Sequence, residues 1–235
     1  LISLGTRTSY LSVIGKDENG NKIKKLLKKL NFKSYNLIED QFRKTTVKTR
    51  YISNSQQIIR VDEESSNGLL KKVENQFIKK IDKLLKGKDV IVISDYNKGL
   101  LTRKICEYII KKGNLLKIPT VIDPKNENFS IYKNSTLVTP NQLEASKISN
   151  INIISNYDTE KCGKMIMKKY NIQNVLVTRG DKGLSLISKK SSLHSPTISK
   201  EVYDVSGAGD TVLAVIASCL PNKIEDTKVL TLANK

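Results

Sequence analysis

Histidine occurs once in the 235 residues, tryptophan not at all and cysteine three times. A lone His194 excludes any site that needs two histidines, and its Ser-Leu-His-Ser-Pro setting reads as a loop rather than as part of a Ser-His-Asp triad. Cys106, Cys162 and Cys219 are odd in number, far apart and set in helix-like segments, which argues against a disulfide framework and predicts free, mostly buried thiols in a reducing compartment. No apolar run is long enough to span a bilayer and no signal-peptide pattern precedes the first strand, so the protein is expected in the cytoplasm with no membrane partner. Aromatic residues are scarce at 6%, and no recognition motif accompanies the net charge of +18; no nucleic-acid partner is expected. The lysines are spread along the chain beside abundant Asn and Ile, as an AT-rich coding sequence produces. Two phosphate-binding signatures are missing as well. GxxxxGK followed by Ser or Thr does not occur, and GAGDTV lacks the third glycine of the dinucleotide fingerprint.

What is present has an α/β rhythm. Tyr10 to Ile14 alternates as a strand, and the following segment carries Ile23, Leu26, Leu27 and Leu30 at helical spacing among lysines, predicting a helix with a core-facing stripe and a solvated basic face. A second amphipathic helix spans Leu69 to Leu85. Asp89-Val-Ile-Val-Ile-Ser-Asp95 is then a continuous apolar run of the kind buried on both faces of a parallel sheet, ending in Asp95, Tyr96, Lys98 and Gly99. The pattern repeats after a helix around Arg103 to Lys112: Thr120-Val-Ile-Asp123 followed by Pro124 and Lys125, Thr136-Leu-Val-Thr139 followed by Pro140, Asn141 and Glu144, and Asn174-Val-Leu-Val-Thr178 followed by Arg179, Gly180 and Gly183. Four strand ends thus deliver polar groups to one rim, where open α/β sheets collect their ligands.

Asp204-Val-Ser-Gly-Ala-Gly-Asp210 lies between a strand-like run, Glu201 to Tyr203, and a helix of small and apolar residues, Thr211 to Leu220. Gly207, Ala208 and Gly209 allow close backbone approach, and the first-turn N–H groups of the helix suit an anion. Asp210 would repel an anion it merely bound, so a proton-accepting role beside that anion, as in phosphoryl transfer to a hydroxyl, competes with a simple surface acid in a first turn. Asn141 and Glu144, three apart at a helix start, share one face and can order the water shell of a magnesium ion, or Glu144 is a favourable first-turn acid. Thr178, Gly180 and Gly183 offer hydroxyl and N–H groups to nucleotide phosphates, or form no more than a tight hairpin. Between Arg43 and Asp62 the period becomes alternating, predicting a β-hairpin turning at Asn54 and Ser55. Its Arg43, Lys44, Lys48, Arg50 and Arg60 suit a flap over an anionic substrate, or an edge hairpin protected by charge.

With these blocks assembled, the chain resembles the ribokinase-like (PfkB-type) carbohydrate kinases over nearly its whole length. DVSGAGD is similar to their carboxy-terminal signature, Asn141 to Glu144 to their Asn-x-x-Glu motif, and VTRGDKG at 177–183 to their ATP-binding turn. Within the family, QQIIRVDEE at 56–64, ISDYNKGLLT at 93–102, VIDPKNENFSIYKNSTLVTPNQLE at 121–144 and EVYDVSGAGDTV at 201–212 are most similar to the bacterial heptose 7-phosphate kinases of lipopolysaccharide precursor synthesis. The resemblance implies a doubly wound, mainly parallel sheet over 1–235 with a small β lid at 43–62, and transfer of the ATP γ-phosphoryl group to the anomeric hydroxyl of D-glycero-D-manno-heptose 7-phosphate. Asp210 would be the base and Gly207, Ala208 and Gly209 the anion hole. Asn141 and Glu144 would organise Mg²⁺ through water, and Lys125, Thr178, Gly180, Gly183 and Asn234, with Asn141 and Glu144, would bind ATP. Lys48, Arg50, Arg60, Asp95 and Lys98 are the substrate candidates, and a homodimer through the lid is implied. Leu1 is not an initiator methionine and the last residues stop inside a helical pattern, so a piece of a longer chain is expected, lacking the family's first core strand and its C-terminal helices.

Overall fold

Residues 1–30, 32, 34–53, 56–197, 207–222 and 224–234 are described by the computed structural model, and the chain divides into two compact units. One unit comprises Thr8–Lys86 and Asn97–Ile105. In it β1 (Tyr10–Gly15) runs parallel to β2 (Tyr35–Asp40), in register from Tyr10 opposite Tyr35 to Gly15 opposite Asp40, with α1 (Glu18–Lys29) as the crossover. Asp17 starts α1 and also fastens a later segment. Its Oδ1 accepts from the Gly20 N–H at 2.7 Å and from the Thr45 hydroxyl at 2.7 Å, and its Oδ2 from the Thr45 N–H at 2.8 Å. The Gly15 N–H donates in turn to Thr45 Oγ1 at 2.9 Å.

The expected core-facing stripe of α1 is only partly realised. Gly20 is the one buried residue of the helix among those described, while Leu26 is 57% and Leu30 66% exposed. The reason is the narrowness of the partner: α1 packs against β1 of a two-stranded sheet, and closest at its first turn. The helix α2 (Lys71–Leu85) does what its pattern predicts, burying Val73, Phe77, Ile81 and Leu85 four residues apart and packing on β1 and β2. The hairpin is present as β3 (Val47–Ser53) and β4 (Gln56–Glu63), with a register irregularity at Tyr51/Ile52; Asn54 and Ser55, the expected turn, lie outside the described residues. At its base the half-buried Arg43 donates to the carbonyls of Ser65 (2.8 Å), Lys98 (2.7 Å) and Asn67 (2.5 Å).

The other unit, Leu1–Arg7, Gly87–Tyr96 and Cys106–Lys235, holds the main sheet. Its strands are β5 (Ile91–Ser94), β6 (Thr120–Asp123), β7 (Leu137–Val138), β8 (Asn174–Thr178), β9 (Leu184–Ile187) and β10 (Ser192–Ser195), in the spatial order β10-β9-β8-β7-β6-β5. The pairs β5/β6, β6/β7 and β7/β8 are parallel, and β8/β9 and β9/β10 antiparallel. The helices are α3 (Arg103–Leu116), α4 (Gln142–Ser149), α5 (Asn156–Tyr170), α6 (Ala208–Cys219) and α7 (Asp226–Ala233). Alternate strand residues face opposite sides of the sheet. Val121, Leu137, Leu176 and Leu184 pack with Val212, Leu213 and Ile216 of α6 and Val229 and Leu230 of α7. Val175 and its cross-strand partner Ile187, both fully buried, lie on the other side, where Gly163 of α5 meets Ile187. Both faces are therefore covered, as a doubly wound sheet requires.

Cys106, Cys162 and Cys219 are free and buried as expected. His194 is not in a loop: it stands in β10, with Nδ1 2.8 Å from the Ser185 hydroxyl and Nε2 3.5 Å from Glu160 Oε1. Four residues of alternating character suffice for an edge strand once β9 supplies the pairing. Also unforeseen was β2, whose Tyr-Asn-Leu-Ile-Glu-Asp pattern is too irregular to declare itself. Among the described residues no helix is long and apolar enough to cross a membrane.

Candidate active site

Because β5 to β8 are parallel and adjacent, their carboxyl ends share one edge of the sheet. After β7, Asn141 forms a parallel bridge with Thr178 at the end of β8, and the Thr178 N–H donates to the Pro140 carbonyl at 3.1 Å. Asn141 then caps α4 in a reciprocal pair with Glu144: its Oδ1 accepts from the Glu144 N–H at 2.9 Å, and its own N–H donates to Glu144 Oε2 at 2.8 Å. The remaining oxygen of Glu144 is paired with the ammonium of Lys125, which follows β6. Burial works against the charge on Lys125, but the hydrogen bond to Glu144, with Asp123, Glu144 and Tyr96 nearby, raises its pKa above the ordinary lysine value.

Two carboxylates flank this pair. Asp123, the last residue of β6, is pushed up to about 6 by burial, with Lys125 opposing and Glu144, Asp210 and Asp95 adding to the rise. Asp210 stands in the first turn of α6, where Gly207 is the N-cap at φ 82°, a left-handed conformation natural to glycine. Both the N–H and the hydroxyl of Thr211 donate to the Gly207 carbonyl, at 2.9 and 3.0 Å. Gly207, Ala208, Gly209 and Asp210 are all exposed, and a Cβ on Gly209 would meet nothing within 4 Å, so the backbone of this turn faces open space. Asp204 to Ser206 and the expected strand at Glu201 to Tyr203 lie outside the described residues. The Tyr96 hydroxyl reaches Asp210, 3.4 Å from Oδ1 and 3.3 Å from Oδ2, and the pKa of that phenol is raised by burial first and by Asp210 next.

The substrate candidate Asp95 is 2% exposed; its carboxylate accepts from the Tyr132 hydroxyl, and its N–H donates to the Asp123 carbonyl at 3.0 Å. Burial, then Asp95, raises the pKa of Tyr132. At the other end of the rim, Gly180 and Gly183 bracket a short turn between β8 and β9, at φ 58° and 81°. The Arg179 N–H donates to the Gly183 carbonyl at 2.8 Å, and a Cβ on Gly183 would overlap the Ser195 carbonyl. Asn234, closing α7, donates to the same segment, to Ser195 Oγ at 3.0 Å and Ser195 O at 3.3 Å. The turn and Asn234 therefore meet at the end of β10, Ser195.

Lys48, Arg50, Arg60 and Lys98 belong to the other unit. There Asp62 pairs with Arg60 at 3.0 Å and with Lys48 at 3.8 Å, Lys98 pairs with Glu64 at 2.5 Å, and Arg50 is exposed. One unit thus gathers Asp210, Tyr96, Asp123, Lys125, Glu144, Asn141 and Thr178, and the hairpin cations stand in the other. Sequence reasoning left out Tyr96 and Asp123 as site residues, although both stand at strand ends already recognised; what it lacked was any sign that α6 returns to them. Among the described residues no group of three His, Cys, Asp or Glu side chains is placed to hold a metal ion.

A model of the pfkB family carbohydrate kinases matches residues 1–235. The chain is 36% identical over 234 residues to the bifunctional protein HldE of Campylobacter curvus, covering all of this chain and 49% of that protein. It is 38% identical over 235 residues to the same-named protein of Campylobacter jejuni subsp. doylei, again covering 49% of it. The chain thus spans about half the length of these curated relatives. Among solved structures it superposes on a mutant of phosphofructokinase-2 from Escherichia coli with a TM-score of 0.84 and 18% identity, covering 98% of this chain and 75% of that one. On ribokinase from Giardia lamblia the TM-score is 0.73 with 18% identity, covering 96% and 74%. At such identity these neighbours speak for the fold, which is ribokinase-like.

Proposed function

Since the chain belongs to the pfkB family of carbohydrate kinases, we propose that its protein is an ATP-dependent sugar kinase that phosphorylates the anomeric hydroxyl of D-glycero-D-manno-heptose 7-phosphate. One observation carries the reaction type: a carboxylate, Asp210, stands in the first turn of α6 behind an exposed Gly207–Gly209 backbone, beside a rim that bears Lys125. Helix-start N–H groups suit the transferring phosphoryl oxygens, and the adjacent carboxylate accepts the proton of the attacking hydroxyl. Lys125 adds positive charge on the phosphate side. Thr178, Gly180 and Gly183 offer the nucleotide a hydroxyl and backbone groups, with Asn234 at the far end of the same turn. The heptose acceptor is supported by the similarity to the two HldE proteins.

Magnesium fits this rim as a hydrated ion. Both oxygens of Glu144 and the Oδ1 of Asn141 already have protein partners, so direct ligation would break the α4 cap or the Lys125 pair, whereas hydrogen bonds through a water shell leave both intact. When bound, the ion would neutralise phosphate charge. The further partner we infer is a second copy of the chain, through the hairpin.

ADP release measured over a panel of sugars and sugar phosphates tests the assignment in the full-length protein. The heptose 7-phosphate should be the preferred acceptor, and Asp210→Asn should lower kcat by at least ~100-fold with little change in ATP affinity. Near-normal turnover by that variant would remove Asp210 from the chemistry, and preference for another sugar would move the substrate.

A further inference from the structure

Tyr96 touches the group on which the proposed reaction depends, across 114 residues of sequence, with its hydroxyl 3.3 and 3.4 Å from the two oxygens of Asp210. A carboxylate only accepts, so the phenol proton lies between them. Ser94 and Tyr96 flank the buried Asp95, which is anchored by the Tyr132 hydroxyl and by its own N–H on the Asp123 carbonyl at 3.0 Å. Tyr96 is therefore carried by a fixed strand end, whereas Asp210 stands exposed in a first turn with open space around its glycine neighbour.

We propose that Tyr96 is a positioning residue for Asp210: donating from the rim of β5, it holds the carboxylate in the orientation that receives the acceptor's proton. The inference rests on Asp210 being the base. Loss of the phenol removes that donor and frees the carboxylate to rotate away from the acceptor.

The test compares wild type, Tyr96→Phe and Asp210→Asn in the full-length protein, following kcat and both KM values of ADP release. Tyr96 is 56% exposed, so the phenylalanine variant should fold as the parent does, which thermal unfolding checks. In that variant kcat should fall about 10-fold with both KM values within about 2-fold. If Asp210→Asn is inactive while Tyr96→Phe keeps its turnover, or loses efficiency only through a raised KM, the positioning role is overturned and the base assignment stands. If Asp210→Asn turns over normally, the base assignment falls, and the positioning role with it.

Discussion

At Asp123 the fold holds a carboxyl where its charge is unwelcome. Burial raises its pKa from 3.8 to about 6, and Glu144, Asp210 and Asp95 reinforce the rise against Lys125. A raised acid pKa means that the folded chain binds the proton more tightly than the unfolded chain. Its contribution to stability is then fully present below about pH 4 and is lost as pH rises through about 6. Asp123→Asn should therefore stabilise the chain at pH 8, by roughly 1 kcal/mol once the partial exposure of the group is allowed for, and the advantage should vanish by about pH 4. Urea unfolding at the two pH values, with a chelator present to keep divalent cations off the rim, gives the comparison. Equal stabilities at pH 8 would mean that Lys125 compensates the charge completely. Asn141, Glu144 and Asp210 were singled out as candidates because their neighbours in sequence, a helix start or a glycine pair, declare a local geometry. The contact of Tyr96 with Asp210 has no local signature, because only the packing of α6 on the sheet creates it.

Among the elements, the knot at the start of α1 fixes more than one helix. Asp17 satisfies an orphan N–H of the first turn and, through Thr45, ties the segment entering β3 to the end of β1. Its pKa is held below the ordinary aspartate value chiefly by the Thr45 N–H, while burial works the other way. The charge is thus stabilising at neutral pH, and that benefit is lost as pH falls through the lowered pKa. Asp17→Ala should cost about 1–2 kcal/mol, the usual range for a lost N-cap, and Asp17→Asn less, because an amide oxygen still accepts from Gly20. Urea midpoints at neutral pH would show it; an unchanged midpoint for Asp17→Ala would mean that water replaces all three donors. Elements as a class were legible wherever burial imposed a pattern. The apolar runs of β5, β6 and β8 announced a sheet covered on both faces, and Val73, Phe77, Ile81 and Leu85 announced α2. Legibility failed where burial was incomplete: β2 lies in a two-stranded sheet and α1 leaves Leu26 in solvent, so a helical apolar period predicted a covered face that the structure does not provide.

For the whole molecule the open question is what meets the hairpin. In the register of β3 and β4, Thr49 stands opposite Val61 and Tyr51 opposite Ile59, which sets these side chains on one face; Lys48, Arg50, Arg60 and Asp62 alternate to the other. The irregularity at Tyr51/Ile52 leaves Ile58 outside the pairing. Tyr51 is 55% exposed, Ile58 70%, Ile59 53% and Val61 44%. A two-stranded ribbon with an open apolar face is marginal in water. The net charge of +18 opposes association of like chains in general, so a dimer needs a contact that keeps charge out of its centre. This face offers one, because the cations alternate to the reverse side and Asp62 already pairs with two of them. Self-complementary packing of the face on its own copy about a two-fold axis would cover it without bringing those cations together. Sedimentation velocity over a range of concentrations should accordingly show a reversible dimer of the full-length protein. Tyr51→Glu combined with Ile59→Lys should shift it to monomer while leaving the unfolding transition of the main sheet in place, since none of its core residues lies in the hairpin. A dimer that persists in the double variant would place the interface elsewhere, and a monomer at every concentration would leave the apolar face without a second copy to cover it.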